Sequence, residues 1–357
     1  MLNFFPFKVF PKNSLGVDIG TSSVKIAELS KSGSRIKLEG YGELKAPAFY
    51  EGAFRTFEKS TLLLSSSDVA KAIMAIIDEA KMRSKAATFS IPDFSSFFTT
   101  FELPQMSESE LPQAVRFEAR QHIPLPLGEV ILDWQIIKGK LKDAKSERLR
   151  ILLVAVPNEV IYQYQEIATL SGLKFRYLEA EAFGLVRSLV HQDDSKLRII
   201  IDVGAQSTTI SVVDSRILQT SYSLDISGNE LTRVLAKGLN IDFKEAEKLK
   251  ENEGLKSSEK KVAETLSPLV DLIIVETEKI AQNCKESEGR NVEEIILAGG
   301  SANMPGLKDQ FFFRLKRNIV IADPISPLFY PPVLEKTIKR MGPSFAVAVG
   351  MAERGLE

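Results

Sequence analysis

The stretch that most limits what this chain can become is LGVDIGTSSVKIAEL, from Leu15 to Leu29. An apolar run meets Gly20 and three small hydroxyl residues, and a second apolar run follows. That pattern reads as two strands joined by a tight turn, with Gly20 permitting the bend and the turn exposing backbone N–H groups. A nest of such donors attracts phosphate oxygens. Asp18, leading into the turn, is a poor neighbour for a bare anion. It makes sense if a divalent cation lies between carboxylate and phosphate. Strand alternation puts Lys25 on the face of the nearby odd-numbered positions, able to point a positive charge back toward the turn. Alone, such a hairpin says little, since many contain Asp and Gly without any ligand.

A second copy changes the weight of the first. IIIDVGAQSTTISVV, from Ile199 to Val213, repeats apolar strand, Asp-x-Gly, small polar residues and apolar strand. Two such hairpins suggest related halves facing each other across a cleft. A third glycine turn closes EIILAGGSA, Glu294 to Ala302.

With 357 residues the chain has length for two domains with full cores. A net charge of −1 argues against an electrostatic nucleic-acid surface. The single cysteine, Cys284, has no partner for an intrachain disulfide, which fits a reduced cytoplasmic compartment. His122 and His191 lie far apart, so a histidine metal site is not expected, and no Gly-x-Ser-x-Gly elbow supports a hydrolase. No apolar run approaches the roughly 20 residues of a membrane-spanning helix. The aromatic beginning, Met1 to Pro11, lacks the features of a signal peptide. It reads as a strap packed on the first domain, or alternatively as a contact for a membrane surface or partner.

In chain order, Arg35 to Leu44 reads as a third strand and Asp68 to Ala80 as a helix capped by Ser67. The stretch from Ala87 to about Gly172 reads as a unit of its own, in the order β-β-α-β-β-α. Its strands are Thr88–Asp93 and Ser96–Leu103, its first helix runs from Glu110 to Ile123 with Ser107 or Ser109 as cap, and a hairpin spans Glu129–Ile137 and Arg148–Val156 across a basic loop. A helix from Asn158 to Ser171 closes it, with Gly172 at the C′ position. Leu178 to Val190 reads as an apolar helix, as do Val270 to Cys284 and the small-residue run Ala346 to Ala352.

In this order the three glycine turns resemble the two phosphate loops and the adenosine loop of the actin-like ATPase superfamily. The wording of the middle segment (Leu103 to Leu111, Arg116 to Ala119, His122 to Leu127, Val130 to Gln135) resembles the insert of the PilM family of type IV pilus assembly, whose cell-division relative is FtsA. The resemblance implies an α/β, actin-like (ribonuclease H-like) two-domain fold with a PilM/FtsA-type inserted subdomain. The first domain would span 1–195 with the insert at about 87–174, the second 196–345, and 346–357 would be a connecting helix returning to the first domain.

It also implies a site for ATP and Mg²⁺. Asp18 and Asp202 would hold the metal, largely through waters. Backbone N–H groups of Gly20, Thr21, Ser22, Gly204, Ala205, Gln206 and Ser207 would hold the phosphates, and Lys25 would neutralise them. Gly299, Gly300 and Ser301 would face adenosine, and Lys250 the ribose. Glu181 would orient the attacking water, with Glu179 in reserve. Ala205-Gln206-Ser207 departs from fast-hydrolysing relatives, so slow or absent hydrolysis is expected. The family's role would be a scaffold at the cytoplasmic face of the inner membrane that binds the N-terminal peptide of PilN and connects to the motor ATPases, with self-association possible. The alternatives are an FtsA-like filament protein, from which this chain differs in ending soon after its last helix, and a small-molecule kinase, for which no catalytic Asp loop is recognisable.

Overall fold

The computed structural model describes residues 13–46, 55–58, 61–139 and 148–357. The aromatic beginning and most of the basic loop lie outside the described residues. Three strands open the fold, β1 (Asn13–Ile19), β2 (Ser23–Ser32) and β3 (Arg35–Lys45), in an antiparallel meander. A short hairpin of β4 (Arg55–Glu58) and β5 (Thr61–Leu64) leads to helix α1 (Ser66–Glu79). Ser65, not Ser67, holds the cap position, two residues earlier than the apolar spacing indicates.

The next strand, β6 (Ala86–Ile91), runs parallel to β1 and so belongs to the first sheet, not to a separate unit. After it come β7 (Phe97–Pro104), α2 (Leu111–His122), β8 (Val130–Lys138) and β9 (Arg148–Pro157). These form a three-stranded antiparallel sheet in the order β7-β9-β8, with α2 packed on one face through Leu111, Val115 and Ala119. Glu110 stands at the cap of α2, where its carboxylate accepts from the Ser107 hydroxyl at 2.6 Å. The following helix, α3 (Asn158–Leu170), sends Val160, Tyr164 and Ile167 into the core of the first sheet. It ends as the sequence indicates: Gly172 has a φ of +67°, its N–H donates to Thr169 O and that of Leu173 to Ala168 O.

Strand β10 (Lys174–Ala180) completes a five-stranded sheet in the order β10-β6-β1-β2-β3. Leu178, Glu179 and Ala180, read as the start of a helix, are its last residues and pair with Phe89, Ser90 and Ile91. Helix α4 therefore begins at Glu181 and runs to Leu189.

The second sheet repeats the first. Strands β11 (Leu197–Val203), β12 (Thr208–Asp214) and β13 (Ile217–Leu224) form a meander. Helices α5 (Gly228–Leu239), α6 (Phe243–Asn252) and α7 (Lys260–Glu288) follow, then β14 (Glu294–Ala298), α8 (Leu307–Leu315) and β15 (Asn318–Ile321). The order β13-β12-β11-β14-β15 places two parallel strands beside the first strand of the meander, as β6 and β10 stand beside β1. Near-continuous burial of β1 and β11 follows, because each sheet is covered on both faces.

After β15 the chain crosses back to the first sheet. Phe329 pairs with β3, donating to Ile36 O at 2.9 Å and accepting from Leu38 N at 3.0 Å. Helix α9 (Glu335–Arg354) then packs across β1 and β2 and against α4. A Cβ on Gly350 would lie 2.0 Å from the carbonyl oxygen of Gly184, so α4 and α9 touch backbone to backbone. Small residues at this crossing were the sequence sign of it. Both α7 and α9 are longer than their apolar spacing indicates and run through Pro268 and Pro343. Proline normally interrupts a helix, but Val262 and Leu266 on one side of Pro268 share a core with Val270 and Ile273 on the other.

Candidate functional site

The turns between β1 and β2 and between β11 and β12 are closed in the same way. Gly20 N donates to Ser23 O at 2.9 Å, and Gly204 N donates to Ser207 O at 3.0 Å. Those two N–H groups, expected to face phosphate, are therefore committed within the turns. The turns meet: the hydroxyl of Thr21 donates to Oε1 of Gln206 at 2.9 Å. Thr21 is buried, whereas Ser22 is exposed and its carbonyl accepts from Ala46 N at 2.8 Å.

Asp18 sits at the end of β1 directly across the strand pair from Lys25, whose Nζ is 3.8 Å from its carboxylate. Its other oxygen accepts from the Ser90 hydroxyl at 3.0 Å. Asp202 takes the matching place on β11, opposite Thr209 and beside Ala298. The loop after β14 bends tightly over it. Gly299 adopts a φ of +90°, and a Cβ there would fall 2.2 Å from Asp202 Oδ1, so only glycine suits the position. The same loop is tied to α9 by Gly299 N donating to Pro343 O at 2.9 Å. An added Cβ on neighbouring Gly300 meets nothing within 4 Å.

Lys250, Ser301 and the second turn converge on the start of α5. Gly228 N donates to Gly204 O at 2.8 Å, and Asn229 N to Ala205 O at 3.0 Å. Buried Lys250 donates from Nζ to Gly228 O (2.9 Å), Thr232 Oγ1 (2.8 Å) and Glu247 Oε2 (2.7 Å). It thus braces the first turn of α5 under the second loop. A Cβ on Gly228 would lie 2.6 Å from Ser301 Oγ and 3.6 Å from Lys250 Nζ, which places all three in one cluster.

The structure adds a carboxylate that sequence reasoning missed. Asp93 follows β6 and is buried between the two sheets. It accepts from Ala182 N at 3.2 Å and from the Ser221 hydroxyl on β13 at 2.9 Å. Burial, and then the charge of Glu181, push its pKa up to about 7, against the pull of those two hydrogen bonds. Its place just past the C-terminal end of a central parallel strand, where α/β sheets gather ligands, was the available signal. Glu181 itself is buried at the first position of α4. Glu179 is instead engaged by Arg187 at 2.8 Å and Arg354 at 2.9 Å, which takes it out of the cleft chemistry. Among the described residues no group of three or more His, Cys, Asp or Glu is close enough to hold a metal by side chains alone.

Compared with known families, residues 16–356 match the model of the type IV pilus assembly protein PilM. The chain belongs to this family. Its fold is correspondingly close to a solved PilM–PilN type IV pilus biogenesis complex, with a TM-score of 0.83 at 22% identity, covering 98% of this chain and 99% of that one. The ethanolamine utilization protein EutJ of Carboxydothermus hydrogenoformans shares the fold at a TM-score of 0.58 and 14% identity, covering 96% and 89%. Among curated proteins, the cell division protein FtsA of Streptococcus pneumoniae is 22% identical over 335 residues, 82% of this chain and 71% of FtsA. The two repeated sheets, the crossing helices and the three-stranded insert are thus the actin-like fold of the PilM and FtsA branch. No helix among the described residues is long and apolar enough to cross a membrane.

Proposed function

We propose that this PilM-family chain is an ATP- and Mg²⁺-binding scaffold of type IV pilus assembly at the cytoplasmic face of the inner membrane. The observation that carries the nucleotide reading is the pair of identically closed turns meeting at Thr21 and Gln206, each following an aspartate on its own sheet. Between them, N–H groups of residues 21–22 and 205–207 line a phosphate slot with Lys25 and a hydrated Mg²⁺ supplying positive charge, while the loop 299–301 receives adenosine. Lys250 supports that pocket by bracing α5. Glu181, buried at the first position of α4, orients the attacking water in this reading. Phosphoryl transfer depends on positioning and charge stabilisation, and the side chain of Gln206 bonded across the cleft favours slow or absent turnover.

The partner is the N-terminal peptide of a PilN-type membrane protein, received where the insert (residues 97–157) joins the first domain. Ile131 on β8 and Tyr162 on α3 are 54% and 66% exposed there, on either side of a joint made by Asn158 N donating to Glu129 O at 2.8 Å. Exposed large apolar side chains at such a joint suit an apolar peptide. Contact with the motor ATPases follows from the scaffold role. Titrating fluorescent ATP with and without Mg²⁺, and then the peptide, tests both parts. ATP binding that needs Mg²⁺, with peptide affinity lost in Ile131→Asp/Tyr162→Asp while ATP affinity holds, is the expected result. Turnover of a sugar without peptide binding would overturn it.

A further inference from the structure

The Thr21–Gln206 bond has a consequence for which nucleotide the cleft prefers. The Thr21 hydroxyl has one proton to donate, so it serves either Oε1 of Gln206 or a phosphate oxygen lying between the turns. The side-chain oxygens of Thr21 and Gln206 are 2.9 Å apart. The two arrangements exclude each other. Two further polar contacts between the halves, Ser221 to Asp93 at 2.9 Å and Lys45 to Glu251 at 3.9 Å, lie outside the turns. Both turns are fixed internally by their own backbone bonds, so opening the tie falls to the side chains of Thr21 and Gln206.

We propose that Gln206 and Thr21 form a strut that a terminal phosphate must displace, making Gln206 the residue that sets the preference between nucleoside diphosphate and triphosphate. The proposal rests on the nucleotide reading above and names its specificity determinant. With the strut closed, the slot accommodates a shorter phosphate chain; a triphosphate binds by exchanging the strut for its own bonds to the turns. Removing the acceptor spares the triphosphate that exchange.

The test compares ATP and ADP affinities of the full chain, wild type and variants, by calorimetry with Mg²⁺ present. Gln206→Met keeps the side-chain volume without the acceptor, and Gln206→Ala is the second variant should Met crowd the turn. Each is expected to raise the ratio of ATP to ADP affinity about fivefold, the worth of one net hydrogen bond. In a Thr21→Val background the same changes at Gln206 should leave the ratio where Thr21→Val put it, because the strut is already gone. An unchanged ratio in the single variants, or an equal effect in the Thr21→Val background, overturns the proposal. Spin labels at Glu79→Cys and Lys244→Cys, with Cys284→Ser, read the cleft without nucleotide. If wild type binds neither nucleotide, the nucleotide reading fails and the preference with it; where it binds, an unaltered distribution in Gln206→Met overturns the strut and a broader one supports it.

Discussion

The two halves of the molecule share a plan and differ in how each finishes its turn. Across the strand pair, Asp18 faces Lys25, while Asp202 faces Thr209. After the neighbouring parallel strand, the first half places buried Asp93, while the second places Gly299 and Gly300. The first half thus carries its own cation and fills its space with a carboxylate. The second sets a threonine across the strand pair from its aspartate and keeps its backbone bare. On the nucleotide reading proposed above, the repeat supplies two scaffolds for phosphate, and the divergence gives one of them the counter-charge and the other the room for a ligand.

Four substitutions probe that contrast. Gly350→Val attacks the joint that keeps the halves in register. Its Cβ would sit 2.0 Å from Gly184 O, so the helices must separate, and a loss above about 3 kcal/mol is expected in chemical denaturation. A loss under 1 kcal/mol would show that the crossing is not the tight joint described.

Asp93→Asn removes the carboxylate that the second half does without. An Asp whose folded pKa is raised from 3.8 to about 7 binds more protons folded than unfolded between those values. Stability therefore falls as pH rises through that window, by on the order of 4 kcal/mol. Asp93→Asn should flatten that fall and leave the protein more stable than wild type at pH 8. Parallel stability curves for the two proteins would refute the assignment.

Lys25→Met deletes the built-in counter-charge, and ATP affinity should drop roughly tenfold to a hundredfold, the range of a hydrogen bond to a charged group. Unchanged affinity would remove Lys25 from the site. The smallest effect is expected from the reciprocal change. Thr209→Lys puts the first half's lysine at a buried position of the second half and should lessen the Mg²⁺ dependence of ATP binding by about threefold, a contribution within the range of one ion pair. Dependence that stays the same, measured by the same titration, would argue that position 209 does not face the bound charge.

Much of this was legible in the chain itself. Asp-x-Gly between two apolar runs is a local pattern, so both hairpins and the third glycine turn emerge from sequence alone, as do the small residues of the α4–α9 crossing. What was illegible depends on distant pairing. Ala86–Ile91 has the same look whether it opens an insert or pairs with a strand some seventy residues earlier, and only the fold shows that it lies beside β1. Leu178–Ala180 reads as helix because its apolar and acidic residues suit a helix start, yet its backbone bonds go to β6. Asp93 and the bracing role of Lys250 share this property, since each is defined by groups brought from another element. Pro343 hid the first half of α9, where tertiary packing outweighs the proline's local cost.

The return of α9 also bears on how the protein is made. Its buried face covers Ala27, Leu29 and Leu38 of the opening sheet, so one side of that sheet stays uncovered while the ribosome completes everything between. The nascent opening half must therefore be shielded, by chaperones or by its own transient collapse, until this helix emerges. A ribosome that stalls before residue 335 leaves an apolar sheet face bare.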